Sequence, residues 1–233
     1  FKNYGDEYKI MGLSSYGSPI YYDLIKKNLF KDNKSFQLNL KFFNHTNKNY
    51  KYNFNGYPKQ KVIFKNNIKK LFAFQDSNQF QNLKFKKNLA SSIQKIFEDH
   101  LINICKKIKD LKYSKNLVYA GGCALNSLAN KKIFESRLFN KVFIPYAPGD
   151  GGGSIGAALT VLKDYKKDYK FYNLKSPYIG PKYKNSDISK ELLKNKKLNI
   201  HKISFENNNS LLLTKVATYI YQNKVVGFFN DRM

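Results

Sequence analysis

The chain has 233 residues and carries 42 basic against 16 acidic side chains, a formal net charge of +26; by length it should hold one or two domains. At 42% hydrophobic and 16% aromatic it can bury a core, which excludes a disordered tail or a collagen-like fibre. Two cysteines exclude a disulfide scaffold, no apolar run approaches the roughly 18 residues of a membrane span and no signal peptide opens the chain, so a soluble cytoplasmic protein is expected.

Residues 5–19 read as a short helical or extended piece ending in a Gly17-Ser-Pro19 turn, with a helix starting from Pro19. From Ser35 to Phe42 the apolar residues Phe36, Leu38, Leu40 and Phe42 alternate strictly, which predicts a half-buried strand. Residues 44–85 are rich in Asn, Lys and aromatics with weak periodicity. They predict loops and short strands within an irregular insertion at about 31–87. The strongest helix runs from about Leu89 to Leu111: Leu89, Ile93, Ile96, Phe97, Leu101, Ile104, Cys105, Ile108 and Leu111 recur at three- and four-residue steps.

A strand (Leu117–Ala120), a Gly121-Gly122 turn and a helix carrying Leu125, Leu128, Ala129 and Ile133 follow. A second strand (Lys141–Ile144) leads through a glycine-rich turn into a helix of small and apolar residues from Ser154. This alternation is α/β architecture. Residues 164–185 read as a linker, followed by a helix near 186–195, a strand around Ile200–Ser204, a helix near 210–222 and a buried strand at Lys224–Phe229. The sequence opens on Phe1 and stops four residues past that last strand, so it is expected to be a piece of a longer protein.

The two glycine turns carry the chemistry. A strand ending in Gly121-Gly122 at a helix start offers free backbone N–H groups, the positive end of the helix dipole and no Cβ to hold an anion away. Asn126, one turn on, could bond a ribose or base edge; the alternative is a tight turn that binds nothing. In the second turn, Ala147-Pro-Gly-Asp-Gly-Gly-Gly-Ser154, the Asp150 carboxylate stands unshielded, able to ligate a cation or cap a helix. Consecutive strand–helix units tend to open on the same sheet edge, where ligands collect, so together the turns favour a nucleotide or phosphate cleft.

Four stretches resemble the O-carbamoyltransferases of the nodulation and antibiotic type, the NodU/CmcH family. Gly5-Asp-Glu-Tyr-Lys-Ile-Met-Gly-Leu-Ser-Ser-Tyr-Gly17 is similar to the family's GDEYKVMGLAPYG segment, and Gly121-Gly-Cys-Ala-Leu-Asn126 to its GGxALN motif. Pro148-Gly-Asp-Gly-Gly-Gly-Ser-Ile-Gly-Ala-Ala158 resembles GDxGGAxGAA, and Val225–Met233 resembles the opening of VVGWFQGRMEFGPRALG. The resemblance implies half of an actin-like ATPase domain (ASKHA, Kae1-like) over 1–163, a linker over 164–185, and the start of a YrdC-like α/β domain over 186–233. It implies that carbamoyl phosphate and ATP form a carbamoyl-adenylate, whose carbamoyl group passes to a hydroxyl of a sugar or other small metabolite. By motif position Gly17, Gly121, Gly122 and Asn126 match nucleotide-binding positions, Asp150 a ligand to a divalent metal, iron by resemblance, and Arg232 the carbamoyl-phosphate site. The family's His-x-x-x-His metal pair has no counterpart here, and Cys123 stands where Val is usual. The chain by itself is therefore expected to supply one metal ligand and to be catalytically inert.

Other candidates read as structural. His100 lies on or beside the apolar stripe of the long helix, where a packed, hydrogen-bonded histidine is expected. His201 falls in the strand of the second unit and takes no role, and His45 in the insertion has substrate contact as its alternative. Cys105 belongs to the apolar face; Cys123 would need a nearby cation to be reactive. The lysines are spread evenly and arginine occurs only at Arg137 and Arg232, so the charge reads as a solvated surface and a nucleic-acid partner is not expected. The competing functions are threonylcarbamoyl transfer to tRNA by a Kae1-like protein, a basic non-catalytic nucleic-acid-binding protein, and a sugar or acetate kinase of the same superfold.

Overall fold

Two short helices, α1 (Glu7–Ser14) and α2 (Tyr22–Leu29), stand on either side of the Gly-Ser-Pro turn. The computed structural model describes residues 5–31, 36–45, 53–54, 58–59, 63–72, 77–166, 178, 180–194 and 209–227. They fall into two units, Phe1–Tyr169 and Lys170–Met233.

The first unit is organised along α3 (Leu83–Asp110), which begins six residues before the periodicity predicts. The reason is a cap: the Asn82 side-chain oxygen accepts from the N–H groups of Lys84 (2.8 Å) and Phe85 (3.2 Å). The buried side of α3 holds Phe85, Ala90, Ile96, Leu101 and Cys105, but also the polar residues Asn88, Ser92, Gln94 and His100. Ile93, Ile104, Ile108 and Leu111, placed on the apolar stripe by the sequence, are instead exposed. The buried arc is rotated because α3 packs against α1 and α2 along one stretch and against α4 along another. Of the buried polar side chains there, Asn88 and Ser92 take backbone partners from the segment they hold, Gln94 pairs with other side chains, and His100 bonds its own helix.

The 17–21 turn is one such segment. Ser18 N–H donates to Asn88 Oδ1 (2.9 Å) and Tyr21 N–H to Ser92 Oγ (3.0 Å), while Ser92 Oγ donates to the Asn88 carbonyl (2.7 Å). Gly17 must be glycine at this contact, since a Cβ would run into the backbone carbonyl of Lys87. Tyr21 meets Phe85 and Phe72 edge-on, with ring centroids 5.3 and 5.5 Å away. Tyr22 donates to Asp99 (2.6 Å) and accepts from Lys26 (2.8 Å), a bond that raises the Lys26 pKa. His100 is buried as expected, with Nδ1 2.8 Å from the Ile96 carbonyl and its ring against Phe30 and Phe36.

The strand expected over Ser35–Phe42 does not form among the described residues. Phe30 and Leu38 make an isolated antiparallel bridge, and Leu40–Phe42 is a 3-10 turn. Asn39 decides this locally: its side chain accepts from Lys41 N–H (3.3 Å), offering the backbone a turn in place of a ladder. Beyond it lie a two-residue antiparallel pair, β1 (Asn53–Phe54) with β2 (Pro58–Lys59), a Phe43–Phe64 bridge, and 3-10 stretches at Asn66–Phe72 and Ser77–Gln81.

After α3 come β3 (Asn116–Val118), α4 (Ser127–Glu135), β4 (Lys141–Phe143) and α5 (Gly153–Tyr165). β3 and β4 pair in parallel, with Leu117 opposite Val142 and Val118 opposite Phe143. Leu117 and Val142 pack on Leu101, Cys105, Ala129, Ile133 and Phe139. The alternate pair faces out, with Val118 74% and Phe143 59% exposed, and α5 buries no side chain. Burial pushes the Cys105 thiol up. It pushes the Tyr119 phenol to about 12, assisted by Cys123 and Cys105. The unit is thus a helix-rich α/β fold with a small parallel sheet.

In the second unit the described helices are α6 (Asn185–Lys194) and α7 (Asn209–Tyr221), close to the two predicted. The terminal strand is corrected: residues 224–227 form no strand, Val225 is fully exposed, and no strand described in this unit could complete its ladder. The strand at Ile200–Ser204, His201, Phe228, Phe229, Arg232 and most of the 164–185 stretch lie outside the described residues. Among the described residues no helix is long and apolar enough to cross a membrane.

Candidate functional site

The first glycine corner starts where β3 ends. Tyr119 N–H continues the ladder onto the Phe143 carbonyl (2.9 Å), and the chain then reverses at Gly121, whose φ of 103° suits glycine alone. A 3-10 turn, Gly122–Leu125, follows instead of a helix running straight on, so Leu125 is exposed rather than part of an apolar helix face. Asn126 breaks this turn from α4 and caps it, its Oδ1 accepting from Ala129 N–H (3.0 Å).

The second corner runs from Pro148 into the 3-10 turn Asp150–Gly152 and then α5. Gly152 N–H donates to the Gly149 carbonyl (3.0 Å), and a Cβ on Gly152 would strike the carbonyl of Ala147. The Asp150 side chain is exposed, not covered by aliphatic groups.

Both corners leave the carboxyl ends of paired parallel strands, hence one edge of the sheet. They also touch: Gly121 N–H donates to the Pro148 carbonyl at 2.7 Å, and Leu125 packs under Gly149. The joined corners present the head of the Gly122–Leu125 turn, where a helical turn has no internal acceptor for its first N–H groups. Nothing lies within 4 Å of where a Cβ on Gly122 or Gly151 would stand, so a ligand can reach the backbone. Asp150 brings the one carboxylate of this loop; among the described residues no three His, Cys, Asp or Glu side chains gather to hold a metal ion. Cys123 is exposed on the first corner, and Cys105 is buried in the core.

The sequence-derived candidates therefore divide. Gly121, Gly122, Asn126 and Asp150 meet at this edge. Gly17 lies against Lys87, seven residues or about 10 Å along α3 from Gln94, the residue that touches Asn126. At Gly17 the structure shows close packing on α3. Arg232 lies outside the described residues.

Two residues at the site escaped the sequence reading. Gln94 is 8% exposed and exchanges two hydrogen bonds with the Asn126 amide, at 2.8 and 3.0 Å. Asn130 Nδ2 donates to the Ala124 carbonyl (2.7 Å), tying α4 back to the corner. The signal for Gln94 was its place beside the apolar stripe, where an uncharged amide is costly unless paired.

Residues 1–159 match the protein family described as Carbamoyltransferase N-terminus. Over its whole length the chain is 31% identical to an uncharacterized protein of Synechocystis sp., covering 37% of that protein. It is 26% identical over 76% of its length to Nodulation protein NolNO of Sinorhizobium fredii (23% of that protein), and 40% identical over 31% of its length to Nodulation protein U of Rhizobium tropici (12% of that protein). The chain spans no more than about two fifths of the length of the curated relatives it matches.

Proposed function

The chain belongs to the Carbamoyltransferase N-terminus family, and we propose from that premise that it forms the nucleotide-binding and metal-binding edge of an ATP-dependent transfer from carbamoyl phosphate to a small hydroxylated acceptor. In this reading residues 1–163 are half of an actin-like, Kae1-like ATPase domain, 164–185 link it onward, and 186–233 begin a YrdC-like domain. Two unpaired cysteines, one exposed, fit the cytoplasm.

The observation that carries the reading is the joined pair of corners, tied by the Gly121–Pro148 hydrogen bond beside an exposed Asp150. Gly121 N–H is spent on Pro148, so the amides of Gly122 and Cys123 are the donors that would meet the phosphate of an adenylate. Asn126 serves by holding that turn, because its carbonyl oxygen is already committed to Ala129 and Gln94. Asp150 offers one hard oxygen to a divalent cation, which when bound would polarise the carbamoyl carbonyl. The acceptor oxygen then forms a bond to the carbamoyl carbon, the bond from that carbon to AMP breaks, and the hydroxyl proton is lost. AMP leaves more readily than hydroxide, so adenylation lowers the barrier to transfer.

The test uses the intact protein, carbamoyl phosphate and ATP. Carbamoyl-adenylate formation, with metal content abolished in Asp150→Ala while its circular dichroism stays unchanged, is the expected result; metal retained by that variant refutes the assigned role.

A further inference from the structure

We propose that Gln94 is the positioning residue of the first glycine corner, holding its amides in place through Asn126; the ligand named here, an adenylate, rests on the function proposed above.

Both hydrogens and the oxygen of the Gln94 amide are engaged. One Nε2 hydrogen goes to Glu98 Oε1 (2.8 Å) and the other to Asn126 Oδ1 (3.0 Å), while Gln94 Oε1 accepts from Asn126 Nδ2 (2.8 Å). The two amides form a closed, two-bond pair that fixes the plane of the Asn126 side chain. That plane aims the same Oδ1 at Ala129 N–H, and the Asn126 N–H closes the 3-10 turn on the Cys123 carbonyl (3.1 Å). The head of that turn is Gly122 and Cys123, whose amides are the donors assigned above to the adenylate phosphate.

The pair also connects sequence positions 32 residues apart across α3 and α4. Glu98, one helical turn below Gln94, fixes which end of the Gln94 amide is the donor, because a carboxylate only accepts. Glutamine is thus oriented from one side by charge and delivers that orientation to Asn126 on the other. Leu at this position would keep the volume and discard the orientation.

The experiment compares the intact protein with Gln94→Leu, Gln94→Glu, Asn126→Ala and Gln94→Leu/Asn126→Ala. It reads amide hydrogen exchange without nucleotide and ATP affinity by calorimetry. In Gln94→Leu, exchange at Ala124, Asn126 and Ala129, the hydrogen-bonded amides of the corner, should rise about tenfold with exchange at Leu101–Cys105 and in α5 unchanged, and ATP should bind about tenfold more weakly. Gln94→Glu keeps the acceptor for Asn126 Nδ2 but loses both donors beside Glu98, so it should loosen the same amides. In the Asn126→Ala background the Gln94 effect should vanish. Exchange raised evenly through the unit, or corner amides left unchanged, overturns the proposal. If the parent protein binds no ATP, the adenylate reading falls, while the exchange pattern still decides the role of Gln94.

Discussion

The two glycine corners stand side by side on one sheet edge, yet they are held by different means. The first is anchored by side chains: Ala124 is buried, Asn130 bonds its carbonyl, and Gln94 locks Asn126 from α3. The second is held by its own backbone, through Gly152 N–H on Gly149 and the close approach of Gly152 to Ala147, and the helix it opens buries nothing. The contrast separates two meanings of glycine. Gly121 and Gly152 are fixed by conformation and by space; Gly122 and Gly151 leave open surface.

The largest effect should come from filling the occupied spaces. Gly152→Val should cost about 3 kcal/mol or more in denaturant unfolding, because the obstacle is a backbone carbonyl that no rotamer change can move, and Gly17→Ala should behave alike against Lys87. If both variants melt like the parent, the distinction between packing and open glycines is lost. Asn126→Ala should cost about 2 kcal/mol, combining a lost helix cap with a buried Gln94 amide left without its partner. A cost equal to that of Asp150→Ala would erase the difference between an anchored and an unanchored corner.

Tyr119 gives a pH-dependent version. Its hydroxyl is buried with no partner among the described residues, and burial lifts its pKa from 10 to about 12. The folded state therefore holds this proton more tightly than the unfolded chain. The associated stability is intact below pH 10 and is lost as pH rises towards 12. Tyr119→Phe should lose less stability than the parent across that window in unfolding titrations, and at neutral pH it should be no less stable, since it removes an unsatisfied buried group. The smallest effects belong to the open positions. Gly122→Ala and Asp150→Ala should each change unfolding free energy by less than about 0.5 kcal/mol while ligand or metal binding changes.

The glycine spacing made the shared edge readable from sequence, because consecutive strand–helix units leave few other arrangements. The same spacing misassigned the start of α4: Asn126, read as a ligand contact, also caps this helix, and the α3 contact through Gln94 could not be seen in the sequence. Hydrophobic periodicity located α3 but placed Ile93, Ile104, Ile108 and Leu111 inside, since it averages over a helix whose neighbours change along its length. Its start was missed because Asn82 follows an aperiodic stretch. The Phe36–Phe42 alternation failed for a related reason: period two describes side-chain direction, whereas a strand also needs a neighbour, and Asn39 satisfied the backbone locally instead.

The Gly121–Pro148 hydrogen bond has a mechanical consequence. With the amide of one loop fastened to the carbonyl of the other, neither loop can swing away alone without breaking this bond. A cation pulling on Asp150 would therefore tug at the first corner as well, and if that corner holds the proposed nucleotide, occupancy of either place should be felt as tension in its neighbour.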